Sequence, residues 1–509
     1  MDQQLSQTEQ DVVEAGHRWV DTHEDLIVNL LDDLVARGSV TGTEGGKNDS
    51  DSVVGFLYEF LQEYTDKADV TAEPLPDERE YDPSFKRRDN IYTVLSGHSD
   101  RALVCTSHTD IVPPGAVDRW PNAEPYRLQS GSVTRVSNTK IMVEVAEERV
   151  EREIRDELAR AWNRRGINVN DTIDVLIGRG AYDNKASIVA LVGSLVALEA
   201  ALEGSQRLNG DLIHGHLVDE EVYQVGAKQM VGWGGTNGWL DTHTQSYEQM
   251  SAVVLEGSYG FAPVIGHRGL VWVELEATGA AAHASTPNLG TNAVVGISKA
   301  LSEAAKKKYA DQIGSQFMDD PLLGKTTVAP GTTIVGGDVR SVDNGSVDRG
   351  GLNSIPDWCE TTFDIRIPRW DEFPEAISDV RSNLCEQIES GATAAADDVA
   401  FTARIPEHGF FPPVALADDR SSAGSHPLVE TAVESTRAVA DYNPSIEVAP
   451  GVTDAAFIYH GTGAPTLVEY GPSGALSHEP FEFVERKHVA QSVKSMIEFA
   501  VRELGVIES

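Results

Sequence analysis

The sequence predicts an α/β protein: a mostly parallel sheet flanked by helices, interrupted by an inserted, ferredoxin-like α+β domain. Three observations carry that expectation. Strand-like and helix-like apolar patterns alternate over residues 1–264 and again over 410–509. Between them, residues 265–409 follow the order β-α-β-β-α-β. A hydrophobic content of 40% over 509 residues is enough to fill a substantial core.

The elements follow from spacing. In the first sixty residues Leu26, Leu30, Leu31 and Leu34 recur three and four apart, Trp19 lies two turns upstream, and Gly38 stops the run, so this stretch reads as helix. Asn90–Leu95 and Ala102–Cys105 read as strands, being apolar and partly β-branched. Asp174–Ile177, Leu212–Val218 and Ala252–Leu255 read as further strands, with an apolar helix over Ser187–Leu202. Past Gly266 the inserted domain takes strands at Val271–Ala277, Thr332–Val335, Trp358–Ile367 and Val399–Ile405, with helices at Ala293–Tyr309 and Pro374–Ile388. After Pro412 and Pro413 the first pattern resumes: a helix near Leu428–Ala440, a strand at Thr466–Glu469 and a helix at Val484–Leu504. Glu147–Arg165 reads as an amphipathic helix, with Val150, Ile154, Leu158 and Trp162 on one stripe and charged pairs at i,i+4 on the other face. It belongs to 118–178, an extra insertion inside the first domain.

Composition excludes some functions. Lys and Arg number 41 and Asp and Glu 80, a formal charge of −39. Phosphate contacts need clustered cations, so nucleic acid is not an expected partner, and neither is an anionic membrane. Self-repulsion of this size is tolerable where salt screens it, which suggests a halophile's protein. Cys105, Cys359 and Cys385 are odd in number and far apart, fitting neither a disulfide framework nor a thiolate metal site. The first residues lack a basic start before an apolar run, and no apolar stretch nears the ~20 residues that span a bilayer. A soluble, cytoplasmic protein is expected.

The residues that could carry chemistry lie at strand ends, where open α/β sheets place their sites. His108-Thr109-Asp110 follows the strand ending at Cys105, with Asp110 placed to hold the imidazole from behind. Gly178-Arg179-Gly180-Ala181-Tyr182-Asp183-Asn184-Lys185 sits between a strand and an apolar helix; Asp183 is there either a ligand or a helix cap. Asp219-Glu220-Glu221 ends a strand, and three successive carboxylates are costly there unless cations hold them. Glu256 closes another strand, and His478 follows the turn-rich loop after Thr466–Glu469. Together these place two histidines and several carboxylates at the ends of strands of a single sheet. Such a mixed set suits Zn²⁺, Co²⁺ or Mn²⁺, and one bridging carboxylate can hold two ions about 3.5–4 Å apart. A carboxylate left unligated beside them would serve as general base. His214, His216 and His267 are read as structural.

The order of motifs resembles a family: the di-metal amidohydrolases and exopeptidases that include acetylornithine deacetylase, succinyl-diaminopimelate desuccinylase, aminoacylase and the glutamate carboxypeptidases. The matching pieces begin with S-V-T-G-T-E-G near Glu44, H-T-D-I-V-P from His108, G-R-G-A-Y-D-N-K to Lys185, D-E-E from Asp219 and L-E-G from Leu255. They continue with G-A-A-A-H-A-S-T-P-N-L-G-T-N-A around His283, N-S-I-P-D from Asn353, D-I-R to Arg366, G-V-T-D to Asp454 and S-H-E-P-F-E to Glu482. The likeness runs over nearly the whole chain.

The resemblance implies that His108, Asp183 and Glu256 ligate one metal and Asp183, Glu221 and His478 the other, with Asp183 bridging. It implies Glu220 as general base, Asp110 as the partner of His108, and His283 as the group that stabilises the oxyanion. Asn353 and Arg366 would hold substrate. The cofactors implied are two divalent ions, zinc before cobalt or manganese. Residues 1–264 and 410–509 would form the catalytic domain and 265–409 a lid and dimerisation domain, giving a homodimer. The substrate implied is an N-acyl amino acid, with a dipeptidase or carboxypeptidase as the alternative and a non-catalytic binding protein as the remote one. Three departures bear on substrate choice: the 75 positions from His108 to Asp183 exceed the family's usual spacing, Asn184 and Ala186 replace a usual Met and Gly, and Ala456 stands where many relatives have Arg.

Overall fold

The computed structural model describes residues 5–75, 87–235, 237–314, 317, 319–337, 339–343, 346–349, 353–369, 377–440 and 442–508. They form two compact units, one of Met1–Gly266, Leu416–Ala449 and Thr453–Ser509, the other of His267–Ala415 with Pro450–Val452.

The first unit opens with three helices, α1 (Gln7–Thr22), α2 (Glu24–Ala36) and α3 (Val53–Tyr64). Ser6 caps α1 in a reciprocal box with Glu9, and Leu30, Leu31 and Leu34 of α2 are buried. Strands β1 (Asp69–Pro74), β2 (Asp89–Leu95) and β3 (Arg101–His108) follow. Then come β4 (Gln129–Arg135), β5 (Lys140–Val145), β6 (Glu148–Glu153), helix α4 (Asp156–Arg164) and β7 (Thr172–Ile177). Helix α5 (Ala186–Ala201) leads to β8 (Asp211–Leu217) and β9 (Gln249–Val254). The unit closes with α6 (Pro427–Ala440), β10 (Thr466–Leu467), β11 (Gly474–Ala475), β12 (Phe483–Glu485) and α7 (Arg486–Leu504).

Two six-stranded sheets result. The first has the order β1-β2-β8-β3-β9-β10, with β8, β3, β9 and β10 parallel and β1 and β2 antiparallel at one side. Helix α5 packs with α1, α2 and α7 against it. The stretch Ala181–Ala201 is long and apolar enough to cross a membrane, contrary to the expectation that no stretch nears that length, but 94% of it is buried inside the protein. The second sheet, β11-β12-β7-β4-β5-β6, is antiparallel throughout.

That second sheet corrects two expectations. The loop carrying Asp183 leaves β7, and His478 lies between β11 and β12, so the candidate site draws on two sheets rather than the ends of one. A strand's apolar pattern fixes that it is buried but does not name its neighbours. Residues 147–165 are not one helix: β6 pairs with β5 across a tight turn at Ala146 (φ 51°), and only Asp156–Arg164 is helical. Glu-Arg-Val-Glu-Arg-Glu satisfies helical charge spacing, but pairing with the exposed edge of β5 wins because it still buries Val150 against the cluster of Val133, Val143 and Trp162. The 118–178 segment therefore supplies four of the second sheet's six strands and covers it with α4.

The second unit has the strand order Ala400–Arg404, Gly269–Thr278, Trp358–Ile367, Thr327–Gly336, all antiparallel. Numbered along the chain this is 4-1-3-2, the split β-α-β arrangement expected. Its helices Ala293–Ala304 and Ile377–Ala395 bury Ile297, Ala300, Leu384 and Ile388 against Val273, Phe363 and Ile365. The first helix ends sooner than the spacing suggested and a separate one covers Lys307–Gly314. Residues 374–376 of the other expected helix lie outside the described residues.

Candidate metal centre

The site is assembled from five chain segments of the first unit. β3 ends at His108, and the backbone beyond it is held from both sides: Ser39 Oγ donates to Thr109 O at 2.7 Å and Thr109 N donates to Leu217 O at 2.7 Å. Asp110 does more than stand behind His108. Its carboxylate accepts from Thr41 Oγ1 (2.8 Å) and from the backbone N–H groups of Glu220 (3.0 Å) and Glu221 (3.2 Å), and it lies 3.4 Å from His108 Nδ1. One buried acid thus fixes the end of β3 to the turn after β8.

That turn is held on its other side by a buried triad. Arg88 bonds Asp219 at 2.6 Å and Glu44 at 3.3 Å, and Asp219 N donates to Glu44 at 3.2 Å. Asp219, Gln224, Tyr259 and His478 all hold positive φ (70°, 53°, 56° and 66°), uncommon in non-glycine residues and concentrated here around one site.

The Asp183 loop hangs from a single carboxylate. Glu482 accepts from Gly180 N (3.1 Å), Tyr182 N (3.0 Å), Asp183 N (3.0 Å) and Arg179 Nη1 (2.5 Å), with both charged side chains buried. Asn184 joins the two sheets, its Nδ2 donating to Leu255 O at 2.7 Å beside Glu256. The residue that departs from the usual Met therefore makes a specific bond.

These supports bring five side chains together. His108 Nε2 lies 3.1 Å from Asp183 Oδ1 and 3.2 Å from Glu256 Oε1. His478 Nε2 lies 3.3 Å from Asp183 Oδ2 and 3.1 Å from Glu221 Oε2. The sets His108–Asp183–Glu256 and Asp183–Glu221–His478 each have the proximity to hold a metal ion, and Asp183 is common to both, one oxygen turned to each.

The chemistry of the donors fits divalent ions. His108 Nδ1 is 3.0 Å from the carbonyl of Asp110, an acceptor, so the neutral ring carries its proton there. Nε2 of the neutral ring then points a lone pair at two carboxylate oxygens, an arrangement that a divalent cation between them would satisfy. The spacings agree: ligand atoms about 2.0–2.1 Å from a tetrahedral ion stand roughly 3.3 Å apart.

The electrostatics carry the same message. Burial pushes Glu256 up to about 7 against the pull of His108, with Asp183 and Asp110 adding to the rise. Burial likewise pushes Glu221 up to about 7, with Asp183 adding to the rise. Hydrogen bonds that His478 donates to the carboxylates of Asp183 and Glu221 raise it to about 10. Glu220 is driven well above the usual carboxylate range, by burial first and then by Glu256, Asp454 and Glu221 against the pull of His108. Too many acids share too little positive charge.

A sequence model of peptidase family M20/M25/M40 matches residues 157–502, more than half of the chain. The chain belongs to that family. It is 26% identical over 240 residues to a probable succinyl-diaminopimelate desuccinylase of Staphylococcus aureus, an alignment covering 45% of this chain and 54% of the relative. The chain thus spans about half the length of that curated relative. A di-peptidase of Saccharomyces cerevisiae superposes with a TM-score of 0.63 at 11% identity, covering 96% of this chain and 98% of the other. A dinuclear metal binding peptidase of Bacillus subtilis does so with a TM-score of 0.52 at 12% identity, covering 96% and 100%. At such identities these structures show the fold.

Four residues of the site carried no assigned role in the sequence reading. Asp454 is buried with Oδ1 unpartnered among His108, Asp110 and Glu256. Glu469 is buried and driven well above the usual carboxylate range, by burial first and then by Glu256 and Asp183. Glu482 and Gln224, whose Nε2 is 3.3 Å from Glu220 Oε1, complete the set. For Asp454 and Glu482 the motifs G-V-T-D and S-H-E-P-F-E were the available signal.

His283, Asn353 and Arg366 belong to the second unit. His283 is exposed on a two-residue strand, its Nδ1 2.8 Å from Ser285 Oγ. Asn353 is exposed, and its carbonyl accepts from Ala284 N at 2.6 Å. Arg366 directs two donors at Asp364, at 2.7 and 3.0 Å. His214, His216 and His267 are buried and belong to neither ligand set.

Proposed function

We propose that this chain is a two-metal hydrolase that cleaves an amide bond in a small substrate, an N-acyl amino acid in the first instance. The observation that carries the reading is Asp183, with one oxygen toward His108 and Glu256 and the other toward His478 and Glu221. His108, Asp183 and Glu256 would hold one ion and Asp183, Glu221 and His478 the other, zinc in the first instance. Divalent ions held there supply Lewis acidity, polarising a carbonyl and acidifying water.

The chain's own groups do the rest. Glu220 is not a member of either ligand set, and Gln224 orients its carboxylate. It takes the proton of the attacking water and returns it to the leaving amine. Asp110 holds Glu220 and Glu221 in register through their backbone N–H groups. The roles of His283, Asn353 and Arg366 rest on the family resemblance alone. A homodimer through the second unit is supported by exposed Ile334 and Val335 on its edge strand and Leu289 and Val295 nearby in sequence to His283.

Glu220→Gln is the test, with isothermal titration of zinc beside turnover of N-acetyl amino acids, N-succinyl amino acids and dipeptides. The variant is expected to take up the same number of ions as the parent and to lose about 10²–10⁴-fold in kcat. Removing metal with a chelator is expected to abolish turnover by the parent. Unchanged activity in the variant, or hydrolysis by the chelated enzyme, would overturn the assignment. The substrate panel separates a deacylase from a dipeptidase.

A further inference from the structure

The segment 118–178, which lengthens the chain between His108 and Asp183, sends one cation, Arg155, to Tyr259, three residues past Glu256. Helix α4 is fixed to the start of α7: Trp162 Nε1 donates to Glu485 at 2.9 Å and Arg165 Nη1 to the same oxygen at 2.7 Å. Leu158 and Trp162 pack into the core of the second sheet. The residue that begins this helix, Arg155, is thereby held in place rather than left on a loose loop.

Arg155 Nη1 lies 3.4 Å from the hydroxyl of Tyr259, three residues past Glu256. Its charge is felt by Tyr182, which precedes Asp183, and by Glu469. Tyr182 is wedged so closely against Gly257 and Gly474 that a Cβ at either glycine would collide with its ring. Glu469, pushed well above the usual carboxylate range by burial and by Glu256 and Asp183, is pulled back by Arg155. Among the described residues no carboxylate comes within the 4.0 Å of an ion pair with Arg155, although its neighbours on α4 pair freely with acids. The side chain is exposed on its remaining sides.

We propose that Arg155 is a specificity-determining residue, supplied by the insertion, that anchors a carboxylate of the substrate beside the metal centre. This rests on the hydrolase reading above and narrows it to amides bearing a free carboxylate. The physical need is clear. A substrate carboxylate would otherwise be drawn to the ions themselves and occupy the place of the scissile carbonyl. The guanidinium of Arg155, held at Tyr259 three residues past Glu256, offers it two parallel donors instead. Arg366 already gives two donors to Asp364, which leaves room for a second cation in this role.

The experiment compares matched substrates, an N-acyl amino acid and its carboxamide, in the metal-loaded parent, Arg155→Ala and Arg155→Lys. The expected result is that Arg155→Ala raises KM for the carboxylate form and collapses the carboxylate-over-carboxamide ratio of kcat/KM by about 10- to 100-fold. Arg155→Lys is expected to recover part of that ratio, since it restores charge but not the paired donors. Equal losses on both substrates, or an unchanged ratio, would overturn the proposal while the parent's turnover leaves the hydrolase reading standing. A parent that hydrolyses neither substrate with metal bound would overturn both.

Discussion

The buried pair Arg179–Glu482 offers the sharpest test of how the centre is held. Glu482→Gln keeps one oxygen to accept from Tyr182 N and Asp183 N, but turns an amide N–H₂ toward the donors Gly180 N and Arg179 Nη1. A buried guanidinium is left without its counter-charge, with only the face of Trp120 at 5.0 Å to offset it. Breaking such a pair costs about 3–5 kcal/mol. Arg179→Met is milder, at about 1.5–3 kcal/mol, because three backbone N–H groups still serve the carboxylate. The double variant leaves neither charge alone, so the singles should overshoot it by about 2 kcal/mol or more. Unfolding entropy of roughly 2.1 cal/mol/K per residue, over a unit of roughly 350 residues, makes 1 kcal/mol about 1.3 °C. Differential scanning calorimetry in chelator should therefore find Glu482→Gln about 4–7 °C below the parent. Strict additivity of the two singles, or an unmoved Glu482→Gln, would refute the view that one carboxylate suspends the Asp183 loop.

Two further outcomes follow. Burial lowers His214 to about 3, and neither of its ring nitrogens has a partner. The folded pKa lies below the unfolded value of about 6.5, so the stability from keeping it neutral is present above pH 6.5 and is lost as pH falls toward 3. His214→Leu should stabilise the protein, and its advantage in denaturant melts should widen by about 2 kcal/mol between pH 7 and pH 5; parallel pH curves would count against this. At a charge of −39 the melting temperature should rise steadily from 0.01 to 1 M potassium chloride, as the screening length falls from about 30 to 3 Å. A flat response would remove the halophile reading.

Much of the site was legible because its residues sit where strands end. His108, the Asp219–Glu221 turn and Glu256 were found from the simple alternation of buried strands, and they do lie at the ends of β3, β8 and β9. What escaped was partnership over long separations. Nothing in residues 172–177 says that β7 pairs with β4 and β12 instead of joining the parallel sheet. Glu148–Glu153 offered helical charge spacing, and only the unpaired edge of β5 decides for a strand. Glu482, Asp454 and Glu469 are ordinary acids in a chain with 80 of them until neighbours distant in sequence give them work.

Because Glu482 and Arg179 stand 303 positions apart, the centre has an order of assembly built into translation. At about 5–20 residues per second a ribosome needs roughly 15–60 s to pass from one to the other. From the synthesis of Glu256 until that of His478, most of that interval, the nascent chain carries His108, Asp183, Glu221 and Glu256 but neither His478 nor the carboxylate that suspends the Asp183 loop. Under the proposed assignment, metal uptake at both positions would wait for the last strands to emerge. On the proposed two-ion reading, a chain stalled before His478 would offer only the set His108–Asp183–Glu256.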